Sequence, residues 1–445
     1  MAQNNKSFSL FDFCKKRADK VQIFGKESLD ENGKVIPFIE QAALVTHFLQ
    51  LRDSSVDIPY ADKAKDILKL WYEFVRGERE RRPKDFVGVS ESTHAYQAYL
   101  FHDLFQAPFP APKNPKFTFI DLFAGIGGFR MAFQNLGGEC VFSSEWDEQA
   151  KKTYYANYGD VPFGDITKES TKNKIPNGFD ILCAGFPCQA FSLAGKKLGF
   201  AETRGTLFFD VAEILRRYQP KAFFLENVKG LAIHDKGKTL KTILNTLDEV
   251  GYVVPEPQIV NAMYFGVPQH RERIYIVGFR KDLGFTKEDF TYPEQKEVTK
   301  KWIDVREENP VPAKYYLSTT YQQTLINHKA RHAAKGNGFG YDIIPDDGIA
   351  HAIVVGGMGR ESNLVIDFRQ KDLTPTTNIK GTVNTDGWRK MTPREWARLQ
   401  GYPDSFKIVV ADASAYKQFG NSVAVPAIQA TASQLLKSLT EKNIL

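Results

Sequence analysis

The sequence predicts an α/β protein in which a mostly parallel sheet is flanked by helices on both faces. From Lys116 onward, short β-type runs alternate with helical stretches, and this alternation is typical of sheets built from strand–helix–strand units. Two further observations complete the prediction. Residues 1–112 have helical periodicity, and residues 312–388 are rich in Gly, Asn, Asp and Thr. We therefore expect a helical amino-terminal extension, an α/β body and a smaller loop-rich domain.

The composition is that of a folded globular protein. A chain of 445 residues, with 42% apolar and 25% charged residues, has enough apolar surface to exclude intrinsic disorder. The net charge of +6 permits a nucleic acid partner without establishing one. The four cysteines include no CxxC pair, which argues against disulfides and metal. No long apolar run is present, so we expect a cytoplasmic protein that does not contact membranes.

Three amino-terminal segments have apolar residues at helical spacing, namely Phe38–Leu51, Ala61–Val75 and, more loosely, Glu91–Phe105. The charged run Gly77–Lys84 is interpreted as a solvated helix end in preference to a nucleic acid contact. The four prolines of Ala107–Pro115 indicate a linker into the next domain.

The α/β body follows that linker. Strands are expected at Phe117–Phe123, Cys140–Ser143, Asp180–Ala184, Ala222–Leu225 and Arg273–Phe279, and helices at Arg130–Leu136, Asp147–Asn157, Leu207–Tyr218 and Leu240–Val250. Near the carboxyl terminus, a helix at Thr392–Gln400 has Thr392 as its cap and proline as its first residue, and a last helix spans Val425–Leu439. Sites in such sheets form at the carboxyl ends of strands.

The first strand leads into a glycine turn, FIDLFAGIGG, at Phe119–Gly128. Counting G-x-G-x-x-G from Gly125 places Arg130 at the third glycine, so this is not the dinucleotide fingerprint. The next strand ends at Glu145, which is suited to a ribose diol, and Trp146 could cover a base. Asp165 and its neighbour Ile166 end the third probable strand. An ordinary tight turn would explain the glycines alone, but the whole set indicates a nucleoside without a pyrophosphate.

The expected strand Asp180–Ala184 leads into the sequence AGFPCQAFS. This places Cys188 in a loop at the end of the strand, where a nucleophile would be expected. Cys183, inside the strand, is expected to be a buried structural thiol. Glu226 ends the strand of FLENV, and QHRERIY brings Arg271 and Arg273 to the start of another strand. Singly, these charges would be read as surface groups, but their convergence on one sheet edge indicates a site.

In this order, the motifs resemble those of the cytosine-C5 DNA methyltransferase family. The matching blocks are DLFAGIGG, SSEWD, GDIT, GFPCQAFS, RGTLFFDVA, LENV, QHRERIYIVGF, MTPREWARLQGYPDSF and YKQFGNSVAVPAI. The sequence is most similar to bacterial restriction-modification enzymes that have an added amino-terminal segment. The resemblance implies a Rossmann-like fold that uses S-adenosyl-L-methionine and leaves S-adenosyl-L-homocysteine. It divides the chain into an extension and linker (1–112), a catalytic and cofactor-binding domain (113–311), a target-recognition domain (312–388) and a return segment that completes the catalytic domain (389–445).

The resemblance also implies roles for individual residues. The cofactor-binding positions are Phe123, Gly125, Ile126, Gly127, Glu145, Trp146, Asp165, Ile166, Pro187, Leu207, Asn421 and Ser422. The catalytic positions are Cys188, Glu226, Arg273 and Arg271, and the expected DNA contacts are Gln189, Ser192, Arg204, Arg331 and Arg360.

The implied reaction begins with a cytosine flipped out of double-stranded DNA. Cys188 attacks C6, Glu226 contacts N3 and the exocyclic amine, and Arg273, supported by Arg271, holds O2. C5 then takes the methyl group, and loss of its proton expels the cysteine. We expect a monomeric, metal-free, DNA-associated enzyme of the bacterial cytoplasm, the protective methylase of a restriction-modification system. The alternatives are a transfer RNA methyltransferase of the same family and a catalytically silent DNA-binding relative.

Overall fold

The computed structural model describes residues 29–30, 33–51, 54–81, 106–187, 207–356, 359–374 and 381–445. Its helices are α1 (Phe38–Leu51), α2 (Ala61–Arg81), α3 (Gly128–Asn135), α4 (Glu148–Tyr158), α5 (Glu169–Lys172), α6 (Leu207–Tyr218), α7 (Lys238–Glu249), α8 (Thr319–Ala333), α9 (Pro393–Leu399), α10 (Asp412–Asn421) and α11 (Val425–Glu441). Its strands are β1 (Phe117–Leu122), β2 (Gly138–Ser144), β3 (Ile181–Gly185), β4 (Ala222–Val228), β5 (Tyr252–Val253), β6 (Gln258–Asn261), β7 (Gln269–His270), β8 (Glu272–Arg280), β9 (Ala350–His351), β10 (Leu364–Ile366) and β11 (Trp388–Lys390).

A seven-stranded sheet forms the centre of the molecule, with the order β2-β1-β3-β4-β8-β5 and with β6 also paired to β8. The strands β2, β1, β3 and β4 are parallel, as the strand–helix alternation predicts. The strand β8 is antiparallel to β4, β5 and β6. Because of this reversal, the beginning of β8 meets the carboxyl end of β4.

Both faces of the sheet are covered, which is why its parallel strands are apolar on both sides. On one face, Phe119, Cys183 and Phe224 pack with residues of α3, α9 and α11. On the other, residues such as Leu182 and Leu225 pack with α6, α7 and the two amino-terminal helices. The alternation of neighbouring residues between the two clusters follows from the two-residue period of a strand.

The amino-terminal helices pack against the body of the protein. In α2, Ala64, Ile67, Leu68 and Trp71 repeat at helical spacing and are buried. The helix ends at Arg81, six residues beyond the predicted Val75 and inside the charged run. The predicted helix Glu91–Phe105 lies outside the described residues.

The region 312–388 contains α8 and short strands. Of these, β10 pairs with β11 and β9 pairs with β7. The chain then returns to the central sheet through α9. Thr392 and Glu395 form a reciprocal capping box, with Pro393 as the first helical residue, which confirms the predicted helix start. No helix in the described ranges has the length and apolar character needed to cross a membrane.

Candidate active site

A cavity of about 800 Å³ lies where the parallel strands β1 to β4 end. Eleven of the twelve predicted cofactor-binding residues line it, as do Glu226, Arg271 and Arg273. The predicted cofactor-binding residues and the predicted catalytic charges therefore share one cavity. Its volume is within the range of about 300–1,000 Å³ that is usual for small-molecule sites.

The glycine turn after β1 forms one wall. The φ angles of Phe123, Gly125 and Gly127 are 54°, 56° and 84°. This left-handed conformation is easily adopted by glycine but costs free energy at Phe123, which has a side chain. Gly127 is the predicted cofactor residue that does not line the cavity. A Cβ there would lie 2.3 Å from the Tyr158 ring, so glycine is needed at this position for packing.

Glu145 lies at the end of β2, and its carboxylate is held by backbone amides. It accepts hydrogen bonds from the amides of Gly125 (2.8 Å), Trp146 (2.9 Å) and Asp147 (2.7 Å). Burial raises the pKa of Glu145, and these donors oppose that shift. The side chain of Trp146 is 78% exposed at the cavity rim. The acid is thus fixed in place beside an exposed aromatic ring.

The charged end of the cavity is a carboxylate–guanidinium pair. Glu226 Oε1 lies 3.2 Å from Arg273 Nε, and both side chains are largely buried. Burial raises the pKa of Glu226, while Arg273 and Arg271 oppose the shift. A carboxyl group with a raised pKa can hold a proton closer to neutral pH and donate it.

Arg271 is buried and connects three chain segments. Its guanidinium donates to the carbonyl oxygens of Ile353 (2.8 Å), Gly420 (3.2 Å) and Ser422 (2.6 Å). Burial and the neighbouring Arg273 lower its pKa. Its Nη1 and Nη2 thus hold the backbone of the cavity wall, while its buried Nε has no hydrogen-bond partner among the described residues.

The carboxyl-terminal return brings Gly420, Asn421 and Ser422 to the cavity. Ser422 Oγ lies 2.7 Å from the hydroxyl of Tyr402. Lys417 forms a 2.6 Å ion pair with Asp147 at the rim. The return segment is therefore part of the cavity wall.

Sequence reasoning missed several other lining residues. Lys417 and Gln418 lie within the quoted block YKQFGNSVAVPAI and could have been chosen from it. Val354 and Val355 also line the cavity, and both are more than 40% exposed. They lie between β9 and β10, and no charge or spacing sets them apart in the sequence.

Cys188, Gln189, Ser192 and Arg204 lie outside the described residues. The chain just before them is held by the end of β4, because Asn227 Nδ2 donates to the carbonyl oxygen of Phe186 at 2.8 Å. Pro187, the last described residue before Cys188, lines the cavity. The described chain therefore reaches the cavity wall immediately before Cys188.

Cys140 and Cys183 are buried in β2 and β3. Burial raises the pKa of Cys140 to about 12 and raises that of Cys183 as well. A protonated, buried thiol is a poor nucleophile. The prediction that Cys183 is a structural thiol is confirmed by its burial in the strand.

The two described candidates for DNA contact lie on the surface. Arg331 is exposed on α8, and Arg360 is exposed with its guanidinium 5.3 Å from the centre of the Tyr416 ring. Within the described residues, no group of three or more His, Cys, Asp or Glu side chains could hold a metal ion.

Comparison with known proteins identifies the family. The model of the C-5 cytosine-specific DNA methylases matches residues 117–437. The chain is 72% identical over 336 residues to the Type II methyltransferase M.HpaII of Haemophilus parainfluenzae, covering 74% of this chain and 93% of that protein. It is 42% identical over 331 residues to M.HhaI of Haemophilus parahaemolyticus, covering 73% of this chain and 95% of that protein.

A solved structure, the S. pombe Dnmt2 methyltransferase, shares the fold with a TM-score of 0.52 at 19% identity, over 73% of this chain and 99% of that chain. This likeness supports the predicted Rossmann-like methyltransferase architecture. The family match and the two relatives confirm the prediction of a DNA cytosine-5 methyltransferase. The chain belongs to the C-5 cytosine-specific DNA methylase family.

Proposed function

We propose that this DNA cytosine-5 methyltransferase takes its methyl group from S-adenosyl-L-methionine and uses Cys188 as its nucleophile. The observation that carries the proposal is the single cavity that joins the Glu145 end to the Glu226–Arg273 pair. Methyl transfer needs a donor and a target base within bonding distance, and one continuous cavity meets that requirement.

The donor end suits the nucleoside part of S-adenosyl-L-methionine. The Glu145 carboxylate retains acceptor capacity for a ribose diol, and Trp146 offers an exposed aromatic face. The positive-φ turn lets backbone approach a ligand closely. When bound, the donor supplies an electrophilic methyl group, and the residues predicted for it bind and orient its nucleoside.

The charged end suits a flipped cytosine. The raised pKa of Glu226 favours a protonated carboxyl group that could donate to N3 of the base. Arg273, 3.2 Å from that carboxyl, could donate to O2. Both are held by the antiparallel pairing of β4 with β8. Arg271 supports them by fixing the wall behind the pair.

Cys188 completes the site by attacking C6, which makes C5 nucleophilic. A new sulfur–C6 bond forms, C5 takes the methyl group, and loss of the C5 proton breaks the sulfur–C6 bond again. Two observations support Cys188: the residue before it, Pro187, lines the cavity, and the buried Cys140 and Cys183 have raised pKa values.

We assign sequence recognition to the region 312–388, with Arg331 and Arg360 as DNA contacts alongside Gln189, Ser192 and Arg204. The remaining boundaries follow the family pattern, with residues 113–311 and 389–445 forming one catalytic domain and residues 1–112 an extension. The relatives are named Type II methyltransferases, which supports a protective role in a restriction-modification system. We propose that the enzyme works as a monomer in the bacterial cytoplasm.

The test is Cys188→Ser, assayed with labelled S-adenosyl-L-methionine and duplex DNA. We expect methyl transfer to be abolished while S-adenosyl-L-homocysteine still binds, because the thiolate acts on the base. The wild-type enzyme should form a covalent adduct with DNA that contains 5-fluorocytosine, and the variant should not. Transfer retained by the variant would refute the choice of nucleophile.

The substrate is tested by offering duplex DNA and transfer RNA in parallel. We expect label in DNA only, and bisulfite sequencing of DNA from expressing cells should show one methylated sequence. Replacing residues 312–388 with the corresponding block of a related enzyme should change that sequence. An unchanged methylation pattern would contradict the assignment of recognition to this region.

A further inference from the structure

The helix α1 packs against the edge of the cavity-bearing sheet, although it lies outside the range 117–437 that the family model matches. Ala42, Ala43 and Val45 of α1 are fully buried in the same cluster as Phe142 and Phe163. Their burial shows that α1 is an integral layer of the catalytic body.

The layer covers a short stretch of chain, residues 161–166, which we call the wall segment. On one side, the wall segment pairs with the end of β2: the Phe163 amide donates to the Ser143 carbonyl oxygen, and the Glu145 amide donates to the Phe163 carbonyl oxygen, both at 2.9 Å. Its last three residues, Gly164, Asp165 and Ile166, line the cavity. The wall segment therefore carries donor-site residues and is bonded to the backbone of Glu145.

The amino-terminal helices hold the wall segment from the other side. The centroid of the Phe163 ring lies 4.6 Å from that of His47 and 5.3 Å from that of Tyr60, both in the amino-terminal region. It lies 5.1 Å from the centroid of Phe142 in β2. The side chain of Phe163 is fully buried. Its aromatic contacts fix the position of the wall segment between the helices and the sheet.

Polar contacts add a specific register. Thr46 Oγ1 accepts a hydrogen bond from the amide of Val161 at 3.0 Å and donates to the Ala42 carbonyl oxygen at 2.7 Å. At the other end of the wall segment, the Glu40 carboxylate lies against Gly164, where a Cβ atom would be only 2.6 Å from Oε1. The helix α1 thus contacts both ends of the wall segment.

A buried polar network anchors α1 to the body. His47 Nε2 lies 3.2 Å from Ser143 Oγ and 3.3 Å from Asp160 Oδ2. Asp160 is paired with the buried Arg130, and Gln50 accepts a hydrogen bond from Arg130 Nη2 at 3.1 Å. These buried hydrogen bonds favour one arrangement, because another would leave the groups that form them unpaired. Asp160 Oδ2 itself has no hydrogen-bond partner among the described residues.

We infer that α1 is a positioning element of the methyl-donor site and sets the affinity for the nucleoside part of the donor. It acts through the wall segment, which presents Asp165 and Ile166 to the cavity and bonds to the backbone of Glu145. The inference rests on the proposed donor. It gives the amino-terminal region a role in the methyl transfer reaction itself.

The test is Thr46→Val, which keeps the side-chain shape and removes the acceptor for the Val161 amide. We expect the KM for S-adenosyl-L-methionine and the Kd for S-adenosyl-L-homocysteine to rise about fivefold to tenfold, the range that corresponds to one buried hydrogen bond. The kcat and the KM for DNA should stay within about twofold of wild type, because the base end is untouched. Thr46→Ser, which restores the hydroxyl, should recover the donor affinity.

Glu40→Ala provides a second variant that leaves His47, Asp160 and Arg130 in place, and it should raise the same KM without lowering kcat. It also removes one ion-pair partner of the buried Lys151, which keeps its pair with Glu148. The matched control is Lys437→Ala, an exposed residue of α11 whose ion pair is with exposed Glu441, and it should behave as wild type. If Thr46→Val lowers the melting temperature but binds S-adenosyl-L-homocysteine as wild type does, α1 is structural only and the inference is overturned. If the wild-type enzyme itself fails to bind the compound, the proposed donor is wrong instead.

Discussion

The cavity has walls from opposite ends of the chain, and the two walls are built differently. The carboxyl-terminal segment enters the cavity directly, with Gly420, Asn421 and Ser422 on its surface. The amino-terminal helix α1 stays outside and contacts the cavity through residues 161–166. One wall can touch the ligand itself, whereas the other controls the position of groups that do.

This difference has a physical cause. A wall that touches the ligand must present particular atoms, and here buried Arg271 fixes the backbone that does so through three carbonyl oxygens. A supporting wall needs only the right shape and a few buried hydrogen bonds, such as the one from the Val161 amide to Thr46. Changes in the wall formed by the carboxyl-terminal segment, which we call the direct wall, should therefore have larger effects on activity than changes in the supporting wall formed by α1.

The largest effect is expected for Arg271→Met, which should lower kcat/KM by about 100-fold or more. The change removes the guanidinium donors to the Ile353 and Gly420 carbonyl oxygens, whereas the Ser422 carbonyl oxygen keeps a hydrogen bond from Gln400 Nε2. Each buried carbonyl oxygen left without a donor costs about 1–3 kcal/mol. Steady-state methyl transfer and S-adenosyl-L-homocysteine binding would measure the loss. Arg217→Met, which removes a surface pair with Glu169, is the matched control. If the Arg271→Met enzyme keeps wild-type activity, the carboxyl-terminal wall of the cavity does not depend on the hydrogen bonds of Arg271.

A smaller effect, on stability, is expected from His47 in the supporting wall. Burial lowers the pKa of His47, with Arg130 acting in the same direction and Asp160 opposing it. Below the unfolded-state pKa of about 6.5, the unfolded chain takes up a proton that the folded protein does not, so stability falls as pH falls. The slope contributed by this residue is at most about 1.4 kcal/mol per pH unit.

Urea denaturation of the wild type and His47→Gln between pH 8 and pH 5.5 measures that contribution. We expect the stability of the wild type to fall more steeply with acid than that of the variant, which has no imidazole to protonate. Other buried groups, including Glu145 and Glu226, also titrate, and the difference between the two proteins isolates His47. Parallel pH profiles would contradict a neutral, buried His47.

The smallest effect is expected for Tyr402→Phe in the direct wall. It removes the hydroxyl that lies 2.7 Å from Ser422 Oγ, and one hydrogen bond contributes about 1 kcal/mol. Donor affinity should fall less than about fivefold, measured by calorimetry with S-adenosyl-L-homocysteine. Tyr292→Phe removes a comparable buried hydrogen bond, to the Tyr275 carbonyl oxygen, away from the cavity lining. That control should lose stability without losing affinity.

The same contrast explains what the sequence could predict. The sequence could predict Glu145, Glu226 and Arg273 because polar residues at strand ends meet at one sheet edge. The family motifs identified Asn421 and Ser422. The sequence could not predict which residues α1 contacts, because helical periodicity predicts a buried face and does not reveal which surface covers it. Gly127 was assigned to the cofactor from its motif, whereas its contact with the Tyr158 ring depends on tertiary packing.

Because β8 is antiparallel to β4, the register between the two strands sets the relative position of the charged side chains in the site. Val228 lies opposite Arg273, and Glu226 lies opposite Tyr275, so Glu226 and Arg273 are diagonal neighbours on one face of the sheet. A shift of one residue in either strand would turn one of the two charges to the opposite face. Inserting or deleting a single residue in β4 or β8 would therefore separate the Glu226 carboxylate from the Arg273 guanidinium.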